Sequence, residues 1–109
     1  MNHWTSLCAA GALALIAFPA HAAGNPEAGK QKSQVCQSCH GADGNSTSAQ
    51  FPRLAGQYPD YLVQALSEYK SGARKNAIMA GFAANLSERD MEDIASYFAE
   101  QKDGLATKR

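Results

Sequence analysis

From residue 23 onward this 109-residue chain has no tryptophan, one histidine and two cysteines. These absences narrow the field. A structural zinc site takes four ligands, and Cys36, Cys39 and His40 find no fourth Cys or His beyond residue 22. Charge excess is missing too: ten basic residues face ten acidic ones, so nothing points to nucleic acid. No alternating apolar run reads as a strand, no hairpin signal appears, and no segment repeats. A thioredoxin-like dithiol needs a strand–helix–strand setting, and no such strand precedes Cys36.

Residues 1–22 lack Asp, Glu, Lys and Arg altogether. An apolar run from Leu7 to Phe18 is followed by Pro19 and Ala20-His21-Ala22. The run is short for a bilayer span, and the small-residue site after it is the pattern of a cleaved secretory signal. The pattern lacks the usual basic start, so a retained membrane anchor is the alternative. Cys8 follows Leu7, where a lipid-attachment site wants a small residue, and reads as part of the apolar run. The expected organisation is a signal peptide over 1–22 and one domain over 23–109. A domain this small has a thin core and gains from a staple.

What the chain does contain is Cys36-Gln37-Ser38-Cys39-His40. C-x-x-C-H is the attachment signature of c-type haem. Two thiols with a two-residue gap can bond the two vinyl groups of one macrocycle. The next residue, a histidine, can then coordinate the iron. A redox dithiol, a disulfide and part of a metal site are the alternatives for these thiols. All three leave either His40 or the missing ligands unexplained.

Around the motif the pattern is helical. Asn25 as N-cap and Pro26 in the first turn predict a helix over 25–39, with Gly29 inside it. Gly41 and Gly44 end it. A second helix is predicted over Pro59–Ser71, with Leu62, Ala65, Leu66 and Tyr69 on one face and Gly72 as its stop. Residues 73–85 show no clear period. The last helix begins at Ser87 with Asp90 completing a capping box, and carries the stripe Met91, Ile94, Ala95, Phe98. The fold class is all-α: three main helices and loops wrapped around one covalently bound haem. Met91 reads as core. Tyr58, Tyr61 and Tyr69 read as packing residues. Arg74-Lys75 and Asp90, Glu92 and Asp93 read as solvated faces.

Gly29-Lys30, Cys36–Gly41, residues 52–57 (Pro-Arg-Leu-Ala-Gly-Gln), Tyr61-Leu62, residues 75–79 (Lys-Asn-Ala-Ile-Met), Leu86-Ser87-Glu88 and residues 95–98 (Ala-Ser-Tyr-Phe) occur in that order. In this combination the chain resembles a class I c-type cytochrome, in a short single-haem form like the bacterial cytochrome c4/c553 group. The resemblance implies one haem c per chain, its iron cycling between ferrous and ferric. Cys36 and Cys39 would attach it, with His40 and Met79 as axial ligands. The Pro52 carbonyl would accept from His40 Nδ1. Gly29 would let the first helix approach Tyr97 or Phe98, and Gln57, Tyr61, Arg74 and Lys75 would lie near the propionates. It further implies a monomeric periplasmic electron carrier, not an enzyme, with transient protein donor and acceptor. The alternative is a cytochrome subunit fixed in a larger periplasmic oxidoreductase. A five-coordinate haem sensor or enzyme would require that Met79 not bind.

Overall fold

A computed structural model describes residues 8–15, 24–102 and 104. Most of the apolar leading segment, including the Ala20-His21-Ala22 site, lies outside the described residues. Residues 8–15 form no regular element, and Leu13 and Leu15 are exposed. Among the described residues no helix is long and apolar enough to cross a membrane.

Five helices and no strand make up the described residues: α1 Pro26–Lys32, α2 Gln34–His40, α3 Pro59–Ser71, α4 Ala77–Ala83 and α5 Glu88–Ala99. The single helix expected over 25–39 is therefore two. Asn25 caps α1 as anticipated, accepting from the Glu27 and Ala28 amides at 2.9 and 3.2 Å. The division falls at Ser33, which is fully buried with φ −85° and ψ 1°. Its hydroxyl donates back to the Lys30 carbonyl at 3.0 Å, and Gln37 Nε2 donates to that hydroxyl at 3.1 Å. A serine competing with the backbone in this way can bend or end a helix.

α3 matches its expected span and stops on Gly72 in the left-handed region, φ 83°. The stretch expected to be aperiodic holds α4, which is two turns long. Asn76 caps it, accepting from the amides of Ile78 (3.1 Å) and Met79 (3.0 Å). α5 opens with the anticipated reciprocal box: Asp90 N donates to Ser87 Oγ and Ser87 N to Asp90 Oδ2, both at 3.0 Å.

The apolar stripe of α5 forms the core. Ile94, Ala95, Tyr97 and Phe98 pack with Leu62 of α3, and Cys36 of α2 and Leu54 pack against the cluster. α1 crosses the opposite side of α5. There Gly29 faces the backbone of Asp93, with the Tyr97 Cβ alongside, so the close approach involves Tyr97 rather than Phe98. Asp93 is not a solvated residue. It is 3% exposed; its carboxylate accepts from the Asn25 amide at 2.7 Å and pairs with Lys32 Nζ at 2.6 Å. Met91 is buried, as its stripe position implies, and its sulfur accepts a weak bond from Ser67 Oγ at 3.5 Å. Tyr58 departs from its packing reading: it is 67% exposed.

Candidate functional site

The elements enclose a cavity of about 490 Å³ between α2, α3, α4 and the 50–57 loop. That volume falls in the usual range for a small-molecule or cofactor site. Both thiols of the motif line it, together with His40 of α2 and Met79 of α4. Cys36 and Cys39 stand three residues apart on α2, so they share a face. They are not joined to each other, and both are half-buried. Burial pushes the Cys36 thiol up, with a smaller push from Cys39. A redox dithiol needs the reverse, a thiol pushed down toward its nucleophilic thiolate. Among the described residues no group of three or more His, Cys, Asp or Glu could hold a metal ion.

His40 ends α2 and is 6% exposed. Its Nδ1 lies 2.7 Å from the Pro52 carbonyl oxygen. A carbonyl can only accept, so Nδ1 carries a proton, and in the neutral ring Nε2 keeps its lone pair. Phe51 meets the ring edge-on, with centroids 6.3 Å apart. The two contacts fix the imidazole in tautomer and orientation, leaving one nitrogen with ligand character inside an apolar wall.

Met79 sits in the first turn of α4, not in an irregular loop. It is the single methionine of the lining; Met91 is not part of it. Ile78 and Phe82 flank Met79 at the cavity, and Leu62, Leu66, Ile94 and Phe98 form its floor. Of the four residues expected near acidic groups of a cofactor, Gln57, Tyr61 and Arg74 line the cavity and Lys75 does not. Arg74 is also no solvated face residue. Its Nε pairs with Glu68 at 3.1 Å and its guanidinium stacks on Tyr61 and Tyr69.

The wall contributions of Val35, Tyr69, Ile94 and Phe98 went unread in the sequence. Tyr69 and the α5 pair were legible only as helix stripe, and nothing in a stripe says whether it faces a neighbour or a ligand. The donor set is chemically coherent for a metallated macrocycle: two thiols for covalent attachment, an imidazole nitrogen and a thioether for iron, and apolar walls for a flat ring. The residues fit that group.

The family model described as Cytochrome c matches residues 26–102. Cytochrome c4 of Pseudomonas aeruginosa is 52% identical over 83 residues, covering 76% of this chain and 41% of that protein. Cytochrome c-554(548) of Halomonas halodenitrificans is 39% identical over 83 residues, covering 73% of this chain and all of the relative. The crystal structure of reduced recombinant cytochrome c4 from Pseudomonas stutzeri superposes with a TM-score of 0.69 at 46% identity, over 73% of this chain and 47% of that one. The chain thus spans less than half the length of the cytochrome c4 proteins it matches, and the full length of a shorter relative.

Proposed function

Because the chain belongs to the cytochrome c family, whose cofactor is covalently bound haem c, we propose that it carries one electron at a time between periplasmic redox proteins. Cys36 and Cys39 hold the haem, and His40 and Met79 ligate its iron. The observation that carries this reading is the convergence of both thiols, the lone pair of His40 Nε2 and the Met79 thioether on one apolar cavity.

When bound, the haem supplies a one-electron couple at its iron. The chain's residues decide what that couple can do. The Pro52 carbonyl holds the His40 proton on Nδ1 and makes the imidazole a better donor. Asn76 pins the first turn of α4 through two amides, one of them that of Met79, so the thioether is presented from a fixed backbone. Ile78 and Phe82, beside it, give that part of the cavity an apolar lining. With His40 and Met79 both on the iron, no coordination position would be left for a substrate, which suits a carrier and not an enzyme. Tyr61, Ile78, Phe82 and Val35 line the cavity and are also exposed. They form an apolar rim where a redox partner can dock briefly.

The leading segment directs export, and cleavage after Ala22 leaves a domain of residues 23–109, the compartment being the periplasm. Intact mass of protein taken from the periplasm tests both parts. The expected mass is that of residues 23–109 plus one haem, with no tryptophan fluorescence. Haem released by acid and organic solvent would refute covalent attachment, and a full-length chain would refute cleavage.

A further inference from the structure

Arg74 reaches the cavity wall from outside the regular helices, and the way it is held is unusual for so long a side chain. α3 ends at Ser71, and Gly72 in the left-handed region turns the chain back. The Arg74 amide then donates to the Glu68 carbonyl at 3.1 Å. The Glu68 carboxylate holds the same residue a second time, accepting from Arg74 Nε at 3.1 Å. Its other oxygen accepts from Gln64 Nε2 at 2.9 Å, so the carboxylate is itself fixed. The guanidinium carbon lies 5.7 Å from the Tyr61 ring centre and 5.3 Å from that of Tyr69. Tyr61, Tyr69 and Arg74 line the cavity; Glu68 does not.

We propose that Glu68 is a positioning residue that raises the electron affinity of the site by holding the Arg74 guanidinium at the cavity wall. The inference rests on the cytochrome reading of the cavity. A cation in water is screened, and a mobile one spends its time there. The Arg74 side chain is 36% exposed, so water screens part of its charge, but held against two rings at the cavity wall it keeps a fixed place beside the site. Arrival of an electron in the cavity lowers the local charge by one, and a fixed positive charge beside it favours that change. Glu68 acts in two opposed ways: its negative charge offsets part of the field, and its geometry keeps the cation in place. Arg74 Nη1 donates to the Tyr61 hydroxyl at 3.5 Å, and its contacts with Tyr61 and Tyr69 favour the charged guanidinium.

Two substitutions separate these effects. Glu68→Gln and Glu68→Ala remove the same charge, but only glutamine can still accept from Arg74 Nε. The reduction potential of the haem-loaded protein is measured for both, alone and in an Arg74→Gln background. The expected result is a lower potential for Glu68→Ala than for Glu68→Gln, a gap that vanishes without Arg74. Equal potentials, or a gap that survives without Arg74, would overturn the proposal. Glu68→Asp gives an independent reading: it keeps the charge but falls one methylene short, so its potential should lie below wild type, and an unchanged value counts against us. A purely structural Glu68 would lower melting temperature and leave potential where it was. Exchange of the Arg74 Nε proton, followed by NMR, should be slow in wild type and Glu68→Gln and fast in Glu68→Ala; equal rates would show that the clamp does not hold. Wild-type protein with no covalent haem would overturn the cytochrome reading itself, and the intact mass shows that before any potential is taken.

Discussion

Gly29 of α1 meets the backbone of Asp93 of α5 with no room for a methyl group. A Cβ at position 29 would overlap the Asp93 carbonyl oxygen and stand 3.0 Å from the Tyr97 Cβ. Replacing an interior helical glycine by alanine ordinarily gains about 1 kcal/mol. Here the extra carbon has to push apart two helices that meet backbone against backbone, an overpacking that costs about 1–3 kcal/mol. Gly29→Ala should therefore destabilise the haem-loaded protein in chemical denaturation. A gain in stability would mean that α1 and α5 can separate freely, and the tight crossing would not be a determinant of the fold.

The same helix pair carries a pH signature. Lys32 Nζ bridges Asp90 at 2.9 Å and Asp93 at 2.6 Å. Asp90 is pulled down to about 2, first by the Ser87 amide and then by Lys32. Asp93 is lowered first by Lys32 and then by the Asn25 amide. A carboxylate with a depressed folded pKa contributes stability that is fully present above its unfolded value, about 3.9. That contribution is lost as pH falls toward the folded value. Melting temperature should drop across this acid window, and Asp90→Asn should flatten the drop while lowering stability at neutral pH. An identical acid profile in wild type and Asp90→Asn would show that the box and bridge do not feel the folded state.

Which elements could be read from the sequence follows from their length and from the range of their contacts. α3 and α5 run three turns or more, long enough for an apolar stripe to repeat, and both carry local caps. α4 has two turns, too few for a period to show. Its signal was Asn76, an N-cap residue with no stripe after it. The break at Ser33 depends on a buried hydroxyl turning back to Lys30, and a serine in a polar run does not announce which way it points. Asp93 looked like one more acid on a charged helix because Asn25 and Lys32, which bury it, lie more than sixty residues away. For the site, C-x-x-C-H placed Cys36, Cys39 and His40 together through local spacing alone. That Met79 reaches the same cavity depends on how α3 and α4 pack; the family resemblance pointed to it, and so did its place off any helical stripe, unlike Met91.

Both thiols are expected to be needed for a stable loaded protein. The apolar core is small, and Cys36 packs directly against it. Losing one thioether removes part of the staple that a short domain depends on. Cys36→Ser and Cys39→Ser should each sharply reduce the yield of haem-loaded protein from the periplasm, read by absorbance and intact mass. Undiminished yield and stability in both variants would show that attachment is dispensable to folding.

The two methionines of residues 23–109 make the sharpest test. Met79 lines the cavity from α4, and Met91 is 3% exposed in α5 with its sulfur near Ser67 Oγ. Their burial alone would not assign the ligand, because the more buried methionine is the one outside the cavity. What supports Met79 in the proposal is its place in the cavity lining. Met79→Ala removes the only thioether in the lining, so the reduced protein should bind carbon monoxide readily and show a lower reduction potential. Met91→Leu conserves volume in a packed stripe and should cost under about 1.5 kcal/mol, leaving the absorbance spectrum as in wild type. Wild-type reduced protein should bind carbon monoxide poorly, since the gas must displace a held thioether. Rapid stoichiometric binding by the wild type would argue for an open iron and a sensor or enzyme. Loss of the sulfur ligand in Met91→Leu, with Met79→Ala unaffected, would move the axial position from α4 to α5 and contradict the cavity on which the proposal stands.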